Sequence, residues 1–240
     1  MQLRRLSIIV LFFLVYSLCK AQNVYLVSVG VSDYPEGVKD LVLPVSDAKA
    51  VADLYKQNCS AKTVILLNRQ ATKKGILGAM SFLYKNASRN DIIVLFFSGH
   101  GTTEGFVAYD GVLGYDDIKQ AFSSSKSKHK MIFADTCYSG RLRDSNSKSN
   151  SLNSDFDVLL FLSSKHNEVS IETPEMKNGF FTSCLVRSLK GGADFNKDRV
   201  ITAKELYKGV SDGVIKLSND KQHPVMWGRF NDNMTILNWK

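Results

Sequence analysis

The sequence predicts an α/β domain built around a mainly parallel sheet, and two features carry that prediction. Short, near-continuous apolar runs recur along the chain: Ile92–Phe97 (IIVLFF), Met131–Ala134 (MIFA) and Val158–Leu162 (VLLFL). Such runs suit strands covered on both faces, as parallel strands beneath helices are. Between them lie stretches with apolar residues at i, i+3, i+4 and i+7, the period of an amphipathic helix. Strands alternating with helices over short connections define an α/β layer architecture.

Taken in order, Tyr25–Val31 (YLVSVGV) reads as the first strand. Ala48, Val51, Ala52 and Tyr55 mark the first helix, with Ser46 as its expected N-cap. Val64–Leu67 is a strand, and Ile76, Ala79, Met80 and Leu83 mark a second helix capped by Thr72. Asp116 and Asp117 start a short helix over Ile118–Phe122, where acids complement the helix dipole. Phe181–Leu189 and Lys204–Leu217 read as the third and fourth major helices. Arg141–Asp155 (RLRDSNSKSNSLNSD) holds five serines, three asparagines and three basic residues, and no aromatic. Such a segment cannot bury enough apolar surface to order itself, so a flexible linker loop is expected there. With 240 residues and 44% hydrophobic content, the chain suffices for one domain with a sizeable core. No internal repeat is apparent.

Residues 1–21 read apart from the fold. Arg4 and Arg5 precede an apolar run from Leu6 to Leu18, and Cys19-Lys20-Ala21 offers small residues at a cleavage site. That run rises only about 20 Å as a helix, short of the roughly 30 Å hydrocarbon core. The expectation is an export signal over 1–21, one domain over 22–240, an exported product and no stable membrane anchor after cleavage. Removing 1–21 takes three bases and no acid, leaving 28 basic against 23 acidic residues, a net charge of +5. The remaining bases are scattered and form no stripe interleaved with aromatics, so nucleic acid is not an expected partner. Nothing in the pattern calls for self-association, and a monomer is expected.

Three cysteines remain beyond the signal: Cys59, Cys137 and Cys184. An odd number in an exported chain leaves at least one thiol free. Whether Cys59 and Cys184 pair is left open by their spacing. No CxxC or HxxxH spacing supports a zinc site.

Two strand ends concentrate the chemistry. In open α/β sheets, ligands bind beyond the carboxyl ends of the strands. Ile92–Phe97 runs into Ser98-Gly99-His100-Gly101, and Met131–Ala134 runs into Asp135-Thr136-Cys137-Tyr138-Ser139-Gly140. A thiol needs only modest activation to attack a carbonyl, and a nearby imidazole supplies it before protonating the leaving amine. Cys137 and His100 are the catalytic candidates, with the backbone amides of Gly101 and Cys137 as candidate oxyanion donors. Taken singly, a cysteine or histidine in such a place is usually structural. Their occurrence at successive strand ends, each in a glycine-bounded loop, favours the catalytic reading.

SGHG after one hydrophobic strand and DTCYSG after the next resemble the caspase-like cysteine peptidases, and among them the metacaspases and bacterial relatives. YLVSVGVSDYP, LPVSDAKAVADLY, EVSIETPEMKNGFFTSCLVRSLKG and HPVMWG extend the resemblance over most of residues 24–230. It implies a caspase-like α/β/α sandwich and a Cys137/His100 dyad without an obligatory third member. It also implies an acidic pocket for the residue before the cut, at Asp47, Ser98 and Asp135. Two carboxylates at the floor of a cleft favour a guanidinium or ammonium group, so cleavage of protein or peptide substrates after Arg or Lys is expected. Tyr138 departs from the His or Gln often found beside the nucleophile and is expected to shape the pocket wall.

The same resemblance raises calcium, at Asp110, Asp116, Asp117 and Asp144, since hard oxygen ligands suit Ca²⁺. The competing reading of Asp116 and Asp117 is simply a helix start. Independently of the family, Asp194, Asn196, Asp198, Val200, Thr202 and Glu205 fall at the ligand positions of an EF-hand loop. Arg199 stands where the turn glycine belongs, and the competing reading is a turn followed by a Thr202–Glu205 capping box. Arg141, Arg143 and Lys148 in the linker offer self-cleavage sites to an enzyme of basic specificity. Two alternatives stay open: an Asp-directed peptidase of the same fold, and a catalytically silent domain serving as a binding module or scaffold.

Overall fold

The structure, a computed structural model, describes residues 22–136, 157–164 and 176–238. The expected signal at 1–21 and linker at 141–155 lie outside them, as do Cys137 and Asp144.

A six-stranded sheet in the order β2-β1-β3-β6-β7-β9 forms the centre. Its strands are β1 (Val24–Gly30), β2 (Lys62–Leu67), β3 (Ile92–Ser98), β6 (His129–Asp135), β7 (Asp157–Leu162) and β9 (Val225–Arg229). The first five pair in parallel and β9 joins β7 antiparallel at the edge. The predicted fold class, a mainly parallel sheet between helical layers, is the observed one. Two small antiparallel ribbons go beyond the prediction: β4 (Gly105–Ala108) with β5 (Gly111–Gly114), and β8 (Val200–Thr202) with β10 (Thr235–Asn238). Strands this short lack a readable alternation, so their pairing emerges only from contacts.

Period-two alternation along the central strands divides the core into two layers. Val24, Leu26, Val94, Phe96, Met131 and Phe133 face one side, beneath α1 (Pro44–Cys59), α4 (Phe180–Arg187) and α5 (Ala203–Leu217). Tyr25, Val27, Ile93, Leu95, Phe97 and Ile132 face the other, beneath α2 (Lys73–Tyr84) and α3 (Tyr115–Ser123). The sheet is buried on both faces, which is why its strands read as unbroken apolar runs.

Helix starts follow the local sequence with one correction. Thr72 caps α2, its hydroxyl accepting the Gly75 N–H at 3.0 Å. Thr202 and Glu205 form the capping box of α5. Ser46, however, is not the cap of α1: the cap position is Leu43, and Pro44 takes the first helical position, where its missing N–H costs nothing. The Ser46 hydroxyl lies within hydrogen-bond distance of the Leu43 and Lys177 carbonyls, at 2.8 and 2.6 Å. It therefore ties α1 to the segment leading into α4. Among the described residues, no helix is long and apolar enough to cross a membrane.

Candidate active site

β3 and β6 are neighbours, with Ser98 directly opposite Asp135. Ser98 continues the face of Phe96, and Asp135 that of Phe133, so both turn toward α1 and α4. Asp47, in the first turn of α1, meets them there: Ser98 Oγ donates to Asp47 Oδ2 at 2.9 Å. The start of α4 closes the group from the other side. Asn178 Nδ2 and the Gly179 N–H donate to Asp47 Oδ1 at 2.9 and 3.1 Å. The Thr182 N–H and hydroxyl donate to Asp135 Oδ2 at 3.1 and 2.8 Å. The three residues expected to form the pocket are thus brought together, only 2%, 2% and 8% exposed for Asp47, Ser98 and Asp135.

Gly179 is required by this packing. A Cβ there would stand 2.5 Å from Asp135 Oδ2 and 3.5 Å from Asp47 Oδ2. Burial pushes the Asp47 carboxyl up to about 8, and the charge of Asp135 pushes in the same direction. The bonds from Asn178, Ser98 and Gly179 oppose the rise without cancelling it. Two carboxyl groups held this closely in a dry setting disfavour each other's ionisation.

His100 lies two residues beyond Ser98, and the loop after β1 holds it. Its backbone N–H donates to Tyr34 Oη at 2.9 Å, and its carbonyl accepts from the Val107 N–H at 2.9 Å. Its ring nitrogen Nε2 lies 2.6 Å from the Lys39 carbonyl. A carbonyl only accepts, so this contact places the proton on Nε2 and leaves Nδ1 as the lone-pair nitrogen of the neutral ring. Gly101, the candidate oxyanion donor, bridges to Phe106 at the base of the β4–β5 ribbon.

Cys137 lies outside the described residues, but its neighbour Thr136 does not. The Thr136 N–H donates to Ser163 Oγ, and the Ser163 hydroxyl lies equally close to the Thr136 carbonyl, both at 3.0 Å. The peptide just before Cys137 is thereby pinned to the chain leaving β7. Cys59 and Cys184 form no disulfide with each other. The Cys59 thiol lies 3.0 Å from the Tyr55 carbonyl, and burial raises the Cys184 thiol above its ordinary range.

Two of the carboxylates suggested for calcium, Asp110 and Asp116, are engaged locally. Asp110 accepts the Lys73 N–H at 2.7 Å, and Asp116 pairs with Lys119 at 3.2 Å. In the second candidate loop, Asp194 accepts the N–H groups of Asp198 and Arg199, and Asp198 accepts that of Val200. Glu205 is turned into its capping box, where Oε2 accepts from the Thr202 N–H and hydroxyl. Among the described residues, no three His, Cys, Asp or Glu side chains converge to hold a metal ion.

The described residues thus form a mainly parallel sheet sandwiched by helices, with a glycine-flanked histidine beyond one strand and the buried Asp47, Ser98 and Asp135 cluster at the same edge. The chain belongs to the caspase-domain family of peptidases (peptidase C14), whose pattern it matches over residues 25–234. It is similar to caspase-1 from Spodoptera frugiperda, with TM-score 0.69 and 15% identity over 94% of this chain and 93% of that one. It is equally similar to protein GSU0716 from Geobacter sulfurreducens, with TM-score 0.69 and 16% identity over 86% and 93% of the two chains. At such identities the likeness concerns the fold. A shorter stretch of 52 residues is 42% identical to metacaspase-1 of Scheffersomyces stipitis, spanning 22% of this chain and 13% of that protein.

Sequence reasoning missed Tyr34, Lys39, Asn178, Gly179, Thr182 and Ser163. Only Asn178-Gly179 carried a local signal, a polar–glycine step just ahead of an apolar helix.

Proposed function

We propose that this protein is an exported cysteine endopeptidase cleaving after Arg or Lys, with Cys137 as nucleophile and His100 as general acid and base. One observation carries the reading. Asp47, Ser98 and Asp135 are buried against one another two residues before His100 on β3 and two residues before Cys137 beyond β6. An arginine or lysine side chain entering that pocket would be attracted by Asp135 and would favour ionisation of Asp47, whereas an acidic side chain would be repelled by Asp135.

The reaction then runs in two halves. The Cys137 thiol loses its proton to His100 Nδ1 as its sulfur attacks the peptide carbonyl. The Lys39 carbonyl holds the opposite nitrogen and stabilises the imidazolium that forms. The Gly101 and Cys137 amides face the oxyanion. Collapse of the tetrahedral intermediate breaks the C–N bond, and the imidazolium protonates the departing amine. A water, deprotonated by His100, then attacks the thioester, releasing the acid and restoring the thiol.

A panel of fluorogenic peptides ending in Arg, Lys or Asp, assayed with and without calcium, tests this reading. Turnover of the Arg and Lys peptides, lost in Cys137→Ala and His100→Ala, is the expected result. Preference for Asp would replace the specificity. Absence of turnover together with no alkylation of Cys137 by iodoacetamide would leave only a scaffold domain. Stimulation by calcium would bring the carboxylates of Asp110, Asp116, Asp117 and Asp144, or the loop from Asp194, into the activation step.

A further inference from the structure

We infer that Tyr34 is a positioning residue for His100, setting the orientation of the imidazole through its hydroxyl; the inference rests on His100 serving as the acid and base. The Tyr34 hydroxyl accepts the His100 N–H at 2.9 Å and donates to the Val107 carbonyl at 3.2 Å. Val107 in turn donates its N–H to the His100 carbonyl at 2.9 Å. These three bonds close a ring through the His100 backbone, gripping its peptide groups on both sides. The aromatic ring of Tyr34 also packs on the imidazole, with centroids 4.9 Å apart and planes tilted by 44°.

The loop that carries Tyr34 also supplies the Lys39 carbonyl to His100 Nε2. Backbone and side chain of the histidine are therefore held by one piece of chain. That piece is itself braced. Asn68 Oδ1 accepts the N–H groups of Ser32 and Asp33, and Asn68 Nδ2 donates to Asp33 Oδ2. The Tyr34 N–H donates to Asp40 Oδ1 at 2.8 Å, joining the two ends of the loop. Gly99 makes room for the arrangement: its φ is +155°, and a Cβ there would stand 2.7 Å from the Tyr34 hydroxyl. Productive proton transfer depends on ring placement to within fractions of an ångström. A braced hydroxyl on the histidine backbone supplies that precision.

Tyr34→Phe removes the hydroxyl and keeps the ring. The matched control is Tyr25→Phe, which deletes a hydroxyl bond to the Asn86 carbonyl at 3.1 Å, remote from the site. For an Arg-ending peptide, Tyr34→Phe is expected to lower kcat about tenfold, the upper range for one hydrogen bond, with KM within about twofold. Tyr25→Phe leaves kcat unchanged, and the two variants melt alike. Long-range ¹H–¹⁵N correlation of the histidine rings in Cys137→Ala protein gives a second readout that needs no turnover. A single Nε2–H tautomer for His100 in that background, turning to a tautomer mixture on adding Tyr34→Phe, supports the role. Equal kcat for both tyrosine variants, or an unchanged His100 tautomer, overturns it. If the unaltered chain turns over no peptide while the tautomer still shifts, the peptidase reading fails and the positioning role stands.

Discussion

Asp47 is where the sequence reading and the physics of burial meet at single-residue scale. As a first-turn acid of a helix it could have been an exposed partner of the helix dipole. Instead it is buried, shares its surroundings with Asp135 and has its carboxyl raised to about 8. Asp47→Asn preserves acceptance from Asn178 and Gly179, and its amide can donate to Ser98 Oγ. We expect it to fold and to lose about 100-fold or more in kcat/KM for an Arg-ending peptide, the cost of removing one partner of a buried charge pair. Gly179→Ala should act on the same pocket sterically. Its Cβ meets Asp135 Oδ2 at 2.5 Å, so the carboxylate must shift. A KM for the Arg peptide raised about tenfold, with alkylation of Cys137 unchanged, is the expected pair of observations.

At the scale of elements, the proposed pocket is a junction of three chain segments. β3 and β6 place Ser98 and Asp135 side by side, α1 delivers Asp47, and the start of α4 supplies the donors. The strand contributions were named in advance through the family resemblance, and period-two alternation turns Ser98 and Asp135 toward the same helices. The donors Asn178 and Thr182 were not. They act on carboxylates 131 and 47 positions away, and no local pattern encodes such a contact. The cap of α1 shows the same limit, since Ser46 had the right chemistry yet was drawn to the Lys177 carbonyl. Thr202 offers a contrast, as its capping box is written in four consecutive residues. Thr202→Ala is expected to destabilise the fold by about 1 kcal/mol. Denaturant melts should show that loss, while kcat/KM per folded molecule stays unchanged.

For the whole molecule, the raised carboxyl makes stability depend on pH with a definite sign. A group whose value rises from 3.8 unfolded to about 8 folded favours the native state most below its unfolded value, and that contribution is lost as pH rises through the folded value. The melting temperature of wild type relative to Asp47→Asn should therefore fall between about pH 4 and pH 8. A constant difference across that window would show that Asp47 titrates normally. The linker from Arg141 to Asp155 supplies the other molecular-scale prediction. If the chain cleaves after basic residues, incubation of wild type should yield fragments cut after Arg141, Arg143 or Lys148, and Cys137→Ala should yield none. Mass spectrometry of the two samples reads the outcome, and identical fragment patterns would remove self-processing.

The parallel layered fold was written in the sequence itself, as were the strand ends beyond which His100 and Cys137 fall. Apolar runs such as IIVLFF and MIFA carry their burial in their composition, and SGHG and DTCYSG follow them directly. The clustering of Asp47, Ser98 and Asp135 was also foreshadowed, through a family resemblance that named these three residues together. Tertiary structure alone decided how His100 is held, through Tyr34 and the Lys39 carbonyl, and how the two carboxylates are kept together by Asn178, Gly179 and Thr182. Any residue has a backbone carbonyl to offer, and many carry a donor. Which of them reaches a given histidine or carboxylate depends on the paths of segments distant in the chain, and those paths are settled only when the sheet and its helices pack.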